Sequence, residues 1–110
     1  MADEQVQPMR IVQVGPLGSK LESSRTTTLI KTDTFEMLRL IVPEGRTIPP
    51  HQAPGTVIIQ CVEGDVELTA LGRTTQMVSG DLLYLPPRVI HSLQATANSS
   101  LLVTILHAGK

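Results

Sequence analysis

Two of the three histidines stand in closely matched surroundings. His51 follows the turn Glu44-Gly45 and the pair Pro49-Pro50, while His91 follows the turn Gly80-Asp81, the apolar run Leu82 to Leu85 and the corner Pro86-Pro87. An imidazole titrates near neutrality, holds or moves a proton, and ligates metals through a ring nitrogen. Two of them delivered by similar stretches suggest one site, where they would anchor a ligand, act as a base or supply part of a metal's donor set. The proline pair before His51 fixes two φ angles and aims the ring stiffly. Cys61 is the sole cysteine and reads either as a soft extra ligand or as a small buried hydrophobe. Arg88, on the loop leading to His91, could clamp an anion or face solvent. Tyr84, the only phenol, reads as a strand residue with its hydroxyl at the rim, and His107 as a surface or subunit-interface histidine. Asp65 and Asp81 each follow a glycine and are read as bonding turn amides. Gly45, Gly64, Gly72 and Gly80 have hairpin spacing, and none precedes a helix start that would make a phosphate cradle.

The elements that must carry these residues read as short strands. Thr26 to Thr32, Phe35 to Val42, Thr56 to Val62, Val66 to Leu71, Arg73 to Val78, Leu82 to Leu85, His91 to Thr96 and Leu101 to Ala108 are rich in β-branched or alternating apolar residues. Turn signals separate them about every eight to twelve residues, the rhythm of an all-β sandwich or barrel. Glu63-Gly64-Asp65 reads as a tight hairpin turn joining the third and fourth of these, and Asn98-Ser99-Ser100 as a turn. Alternation puts Val57, Ile59 and Cys61 on one face and Ile58 and Gln60 on the other. Leu101, Val103 and Ile105 share a face, as do Leu102 and Leu106. Apolar residues on both faces of these strands call for a second layer or a partner subunit. Residues 1–25 read as an N-terminal arm, polar and frayed from Met1 to Pro8, with a candidate edge strand at Met9 to Val14. Residues 26–110 read as the barrel.

Composition removes several classes of function. With 110 residues the chain forms one domain, and one Phe, one Tyr and no Trp leave the core to Leu, Ile and Val. A net charge of -1 and so few aromatics give no footprint for nucleic acid. No apolar run reaches the roughly 20 residues of a membrane span, and the N-terminus lacks a signal-peptide core. A single cysteine excludes an internal disulfide and fits a reducing compartment, so the expected location is the cytoplasm.

The two histidine stretches resemble those of the cupins, β-barrels of the jelly-roll (double-stranded β-helix) type. The first cupin motif, G-x5-H-x-H-x3,4-E-x6-G, is met by Gly45, His51 and Gly64, with Ala53 and Val57 at its second histidine and its glutamate. The second, G-x5-P-x-G-x2-H-x3-N, is met by Gly80, Pro86 and His91, with Arg88 and Ala95 at its glycine and asparagine. The chain is similar to small single-domain bacterial cupins of the RmlC-like type, with a degenerate metal motif. The resemblance implies a cupin barrel, and the apolar surface that one barrel cannot hide makes a homodimer the expected assembly. Alternation then places Val57, Ile59 and Cys61 with His51 and His91 in a pocket that meets a small organic ligand. Of the family's three-His-one-Glu metal set only His51 and His91 remain, which implies at most a weakly held divalent ion: iron, nickel, zinc or manganese. The expected function is a binding or sensing module. The alternative is a metal-dependent enzyme, a dioxygenase or isomerase with an incomplete ligand set.

Overall fold

The computed structural model describes residues 7–107, so the first six residues of the expected frayed start and Ala108 of the expected last strand lie outside it. Among the described residues the chain forms nine strands: β1 (Thr27–Lys31), β2 (Phe35–Val42), β3 (Thr47–His51), β4 (Val57–Glu63), β5 (Asp65–Ala70), β6 (Arg73–Val78), β7 (Leu82–Leu85), β8 (His91–Ala95) and β9 (Ser99–Leu106). They pair antiparallel in a five-stranded sheet, β1-β2-β9-β4-β7, and a four-stranded sheet, β3-β8-β5-β6. The two sheets face each other as a jelly-roll and are not hydrogen-bonded into a closed barrel. The core between them is aliphatic, as the shortage of aromatics requires. Val42, Val57, Ile59, Leu101 and Val103 from the larger sheet meet Val66, Leu68, Met77 and Leu93 from the smaller.

Several expectations change in detail. β4 and β5 do not form a hairpin across Glu63-Gly64-Asp65; they belong to different sheets, and the chain changes layer there. Gly64 has φ 103°, and a Cβ on it would lie 2.6 Å from the Asn98 carbonyl oxygen and run into the Ser99 hydroxyl. Residues 99 and 100 are strand rather than turn, and both serines are fully buried. Ser99 Oγ accepts the Asp65 N–H (3.0 Å) and lies 2.8 Å from the Ala97 carbonyl, to which it donates. Polar serines suggested a turn, but their hydroxyls satisfy the backbone of the layer change. The proline-bearing segment Thr47–His51 is a strand, β3, and lies at the edge of its sheet, where missing N–H donors are tolerated.

No strand forms over Met9 to Val14, where Met9 and Ile11 stand exposed, and a short 3-10 helix, Gly18–Ser23, follows instead. This arm lies on the outer face of the larger sheet and is held by two buried or half-buried charges. Arg39 donates to the carbonyl of Gly15 (3.0 Å) and to Ser100 Oγ (3.2 Å), and Glu63 accepts the N–H groups of Leu17 (2.8 Å) and Gly18 (3.1 Å). Ser100 closes the network by donating to Glu63 at 2.7 Å. Leu21 of the arm is buried, as is Leu102, the neighbour of Arg39 in the β2–β9 register. A face expected to need a partner subunit is thus partly covered by the chain's own N-terminal segment.

The β5–β6 hairpin turns on Leu71-Gly72, both at positive φ (54° and 74°), which is the geometry of a type I′ turn. Leucine is strained there and exposed, so Leu71→Asn should stabilise the protein by about 1 kcal/mol. Gly64→Ala should destabilise it by roughly 2–5 kcal/mol, because strain and overlap act together. Thermal melts of the two variants check both signs.

Candidate functional site

His51 and His91 are cross-strand partners in the β3–β8 pair. Opposed residues of an antiparallel pair project to the same face, and the two rings lie with centroids 4.2 Å apart, tilted by 54°. The same local device holds both. His51 Nδ1 lies 3.0 Å from the Pro49 carbonyl and His91 Nδ1 lies 3.0 Å from the Val89 carbonyl, each two residues back. A carbonyl can only accept, so Nδ1 carries the proton in both rings and Nε2 is left as a lone-pair acceptor. The Arg88 N–H donates to the Ala53 carbonyl at 2.8 Å, tying the loop before His91 to the loop after His51.

The pair stands over a cavity between the sheets with two contiguous tiers. The inner tier, about 160 Å³, is walled by Leu38, Leu40, Ile48, Ile59, Leu93 and Val103 below the two rings. The outer tier, about 320 Å³, opens past Glu36, Gln52, Ala53, Val57 and His107. His51, His91, Val103 and Ile105 border both tiers. His91 is buried and His51 is exposed at the mouth.

Of the residues singled out in the sequence, His51 and His91 come together, Ile59 lines the inner tier and Val57 the outer. Cys61 does not join them. It is fully buried further along β4, with Sγ 3.6 Å from the Glu63 carbonyl, and lines neither tier. Burial pushes its thiol up, and the carboxylates of Asp81 and Asp65 push it the same way. Gln60 on β4 and Tyr84 on β7 miss the cavity for a different reason: both point outward and are exposed. Arg88 lines neither tier; at φ 64° it uses its backbone rather than its guanidinium. Asp81 bonds a turn amide, the Val78 N–H at 2.8 Å, whereas Asp65 receives the Gln76 side chain. Glu36 and His107 border the mouth without having been singled out for it. Alternation could have found both, since Glu36 shares its parity with Leu38 and Leu40, and His107 with Val103 and Ile105.

The donor set does not fit a firmly held metal. Ala53 and Val57 bring no donor atom to the motif positions they occupy, and among the described residues no three His, Cys, Asp or Glu side chains are placed to share an ion. Tight sites recruit three or four protein ligands.

Burial, and then the neighbouring His51, hold His91 below the ordinary histidine value of 6.5. The unfolded chain therefore binds this proton more readily, and stability rises with pH through that window. Glu63 acts with the same sign lower down. Burial alone would raise it, but the Leu17 N–H, the Ser100 hydroxyl and the Gly18 N–H, with Arg39 nearby, hold it below the ordinary 4.5. The melting temperature should accordingly fall in two steps on acidification, one beginning near pH 6.5 and one below about pH 4.5. His91→Gln should remove the upper step alone; an unchanged melting temperature between pH 7 and 5.5 in the wild type would contradict the histidine's part.

Solved structures share this architecture. A cupin superfamily protein from Desulfitobacterium hafniense superposes with a TM-score of 0.77 at 17% identity, over 96% of this chain and 97% of the other. An RmlC-like cupin from Shewanella frigidimarina gives 0.75 at 16% identity, over 96% of both chains. Salicylate 1,2-dioxygenase from Pseudoaminobacter salicylatoxidans gives 0.69 at 21% identity, over 73% of this chain and 25% of the dioxygenase. At such identities the likeness is one of fold. Among curated protein sequences none matches this chain. The family model of the AraC-like ligand binding domain matches residues 36–108, from the mouth residue Glu36 through both histidine stretches and the last strand. The chain is a cupin-fold protein and belongs to the family of AraC-like ligand binding domains.

Proposed function

We propose that this chain is a small-molecule binding or sensing module, with the organic ligand entering the mouth between the sheets and His51 and His91 as its polar anchors. One observation carries this reading: two imidazoles 4.2 Å apart, each with Nδ1 tied to a carbonyl, stand over an aliphatic cavity of about 160 Å³. Mostly apolar walls with a few fixed polar groups are the usual make-up of a ligand site. Val57 and Ile59 supply wall, and Cys61 supplies core packing behind it. The family of ligand binding domains to which the chain belongs supports the same reading.

A second reading is a metal-dependent enzyme of the dioxygenase or isomerase type. The carbonyl bonds at both Nδ1 atoms favour it, since they resemble the outer contacts that orient metal-ligating imidazoles. The salicylate 1,2-dioxygenase neighbours, some with gentisate bound, share its fold. Its weakness is the donor count. Iron, nickel, zinc or manganese held by His51 and His91 alone would be held loosely.

Purified without a tag and without chelators, the protein should contain metal well below one equivalent and keep its melting temperature in EDTA, since bound ligands stabilise in proportion to occupancy. Ala53→His with Val57→Glu should raise affinity for these ions by at least about tenfold, measured by titration calorimetry. Stoichiometric metal lost with stability on chelation would favour the enzyme instead.

A cytoplasmic homodimer belongs to the same proposal. Bare Leu82 and Tyr84 on β7 and half-covered Leu106 on β9 form the apolar remainder of the larger sheet's outer side. Light scattering should return about twice 11.9 kDa at low micromolar concentration; a monomer mass would refute the dimer.

A further inference from the structure

The imidazoles and the carboxylate around the mouth present acceptors, and the exposed Gln52 side chain alone brings an amide donor. His51 and His91 present Nε2 lone pairs because their Nδ1 protons are engaged by the Pro49 and Val89 carbonyls. His107 repeats the arrangement, with Nδ1 3.1 Å from the Asp33 carbonyl. Glu36 adds a carboxylate from the inward row of β2, half-buried and bonded to no side chain or backbone group among the described residues. Lys31 is its cross-strand neighbour, yet Lys31 is exposed and borders neither tier. Below the acceptors lies an aliphatic tier of about 160 Å³, comparable to an apolar cavity that holds one benzene ring.

We propose that the site selects an amphipathic amine, an aromatic or short aliphatic group with a protonated nitrogen, whose N–H bonds go to the histidine pair with the Glu36 carboxylate as countercharge at the mouth, while its hydrocarbon fills the inner tier. The proposal rests on the reading of this cavity as a small-molecule site and narrows it to one ligand chemistry. Past the exposed Gln52 amide, a carboxylate head would meet the lone pairs of His51 and His91 and the like charge of Glu36. To receive it, each imidazole would need a second proton, placing two cations with centroids 4.2 Å apart, one of them buried. A neutral hydroxyl can donate to one imidazole, but it forgoes the attraction of the Glu36 carboxylate for a cation at the mouth.

Three probes of one skeleton test it by titration calorimetry on the full chain at pH 7.5: 2-phenylethylamine, 2-phenylethanol and phenylacetate. The amine should bind at least about tenfold tighter than phenylacetate, with the alcohol between them. Glu36→Gln, which breaks no bond within the protein, should weaken the amine by about tenfold and close its gap to the alcohol. Phenylacetate binding tightest, or an amine affinity indifferent to Glu36→Gln, would overturn the amine inference while leaving the cavity a ligand site. Failure of all three to bind, with the variant and wild type equally folded, would overturn both.

Discussion

The contact between Gly64 and the start of β9 is the constraint on which the two-layer arrangement depends. At this point the chain leaves the larger sheet for the smaller, and it can do so only by passing directly against Asn98 and Ser99. The absence of a side chain at residue 64 permits the approach, and the Ser99 hydroxyl receives the amide that the layer change would strand. One residue on, Ser100 binds Glu63 and Arg39, so the same corner also seats the N-terminal arm. Two adjacent buried hydroxyls therefore serve both faces of the larger sheet, one inward toward the layer change and one outward toward the arm.

The histidine site follows from that arrangement with few extra parts. Once β4 and β9 form one wall and β3 and β8 the other, a cross-strand pair on the second wall necessarily looks across at Val57, Val103 and Ile105. The rings need no long-range hydrogen bonds to be oriented, because each is held by a carbonyl of its own loop. Orientation is local and placement is global. That division lets the mouth residues vary in chemistry, as Ala53 and Val57 do here, without disturbing the fold that presents them.

Much of the fold could be read from the chain. β2, β6 and β7 have the limits that alternation and turn residues predict, and the inward row of β4 is the one the period of two assigns. The pairing of the two histidines could also be anticipated, because similar turn-to-proline approaches brought each to a strand end. What escaped reading is what depends on partners distant in sequence. Glu63-Gly64-Asp65 has hairpin chemistry, and only the close passage of Ser99 shows that it joins layers. Ser99 and Ser100 look like turn residues because burial of a hydroxyl is legible only once its acceptors, Ala97 and Glu63, are in place. Arg39 looks like a solvent-facing charge until the arm's carbonyls surround it. Cys61 obeys the inward parity yet lies outside the cavity, since parity fixes the face of a strand and not the distance along it.

Strand β3 carries a further consequence through Pro49 and Pro50. Successive amides of a strand face opposite sides, so the two prolines remove one donor from this outer margin and one from the pairing with β8, where the register skips from Ile48 to His51. A passing chain finds an interrupted ladder there, so the smaller sheet is blunted against growth at the edge that carries His51. The same rings that stiffen the approach to His51 thus guard against fibrillar templating and keep the doorway of the cavity clear of stray polypeptide.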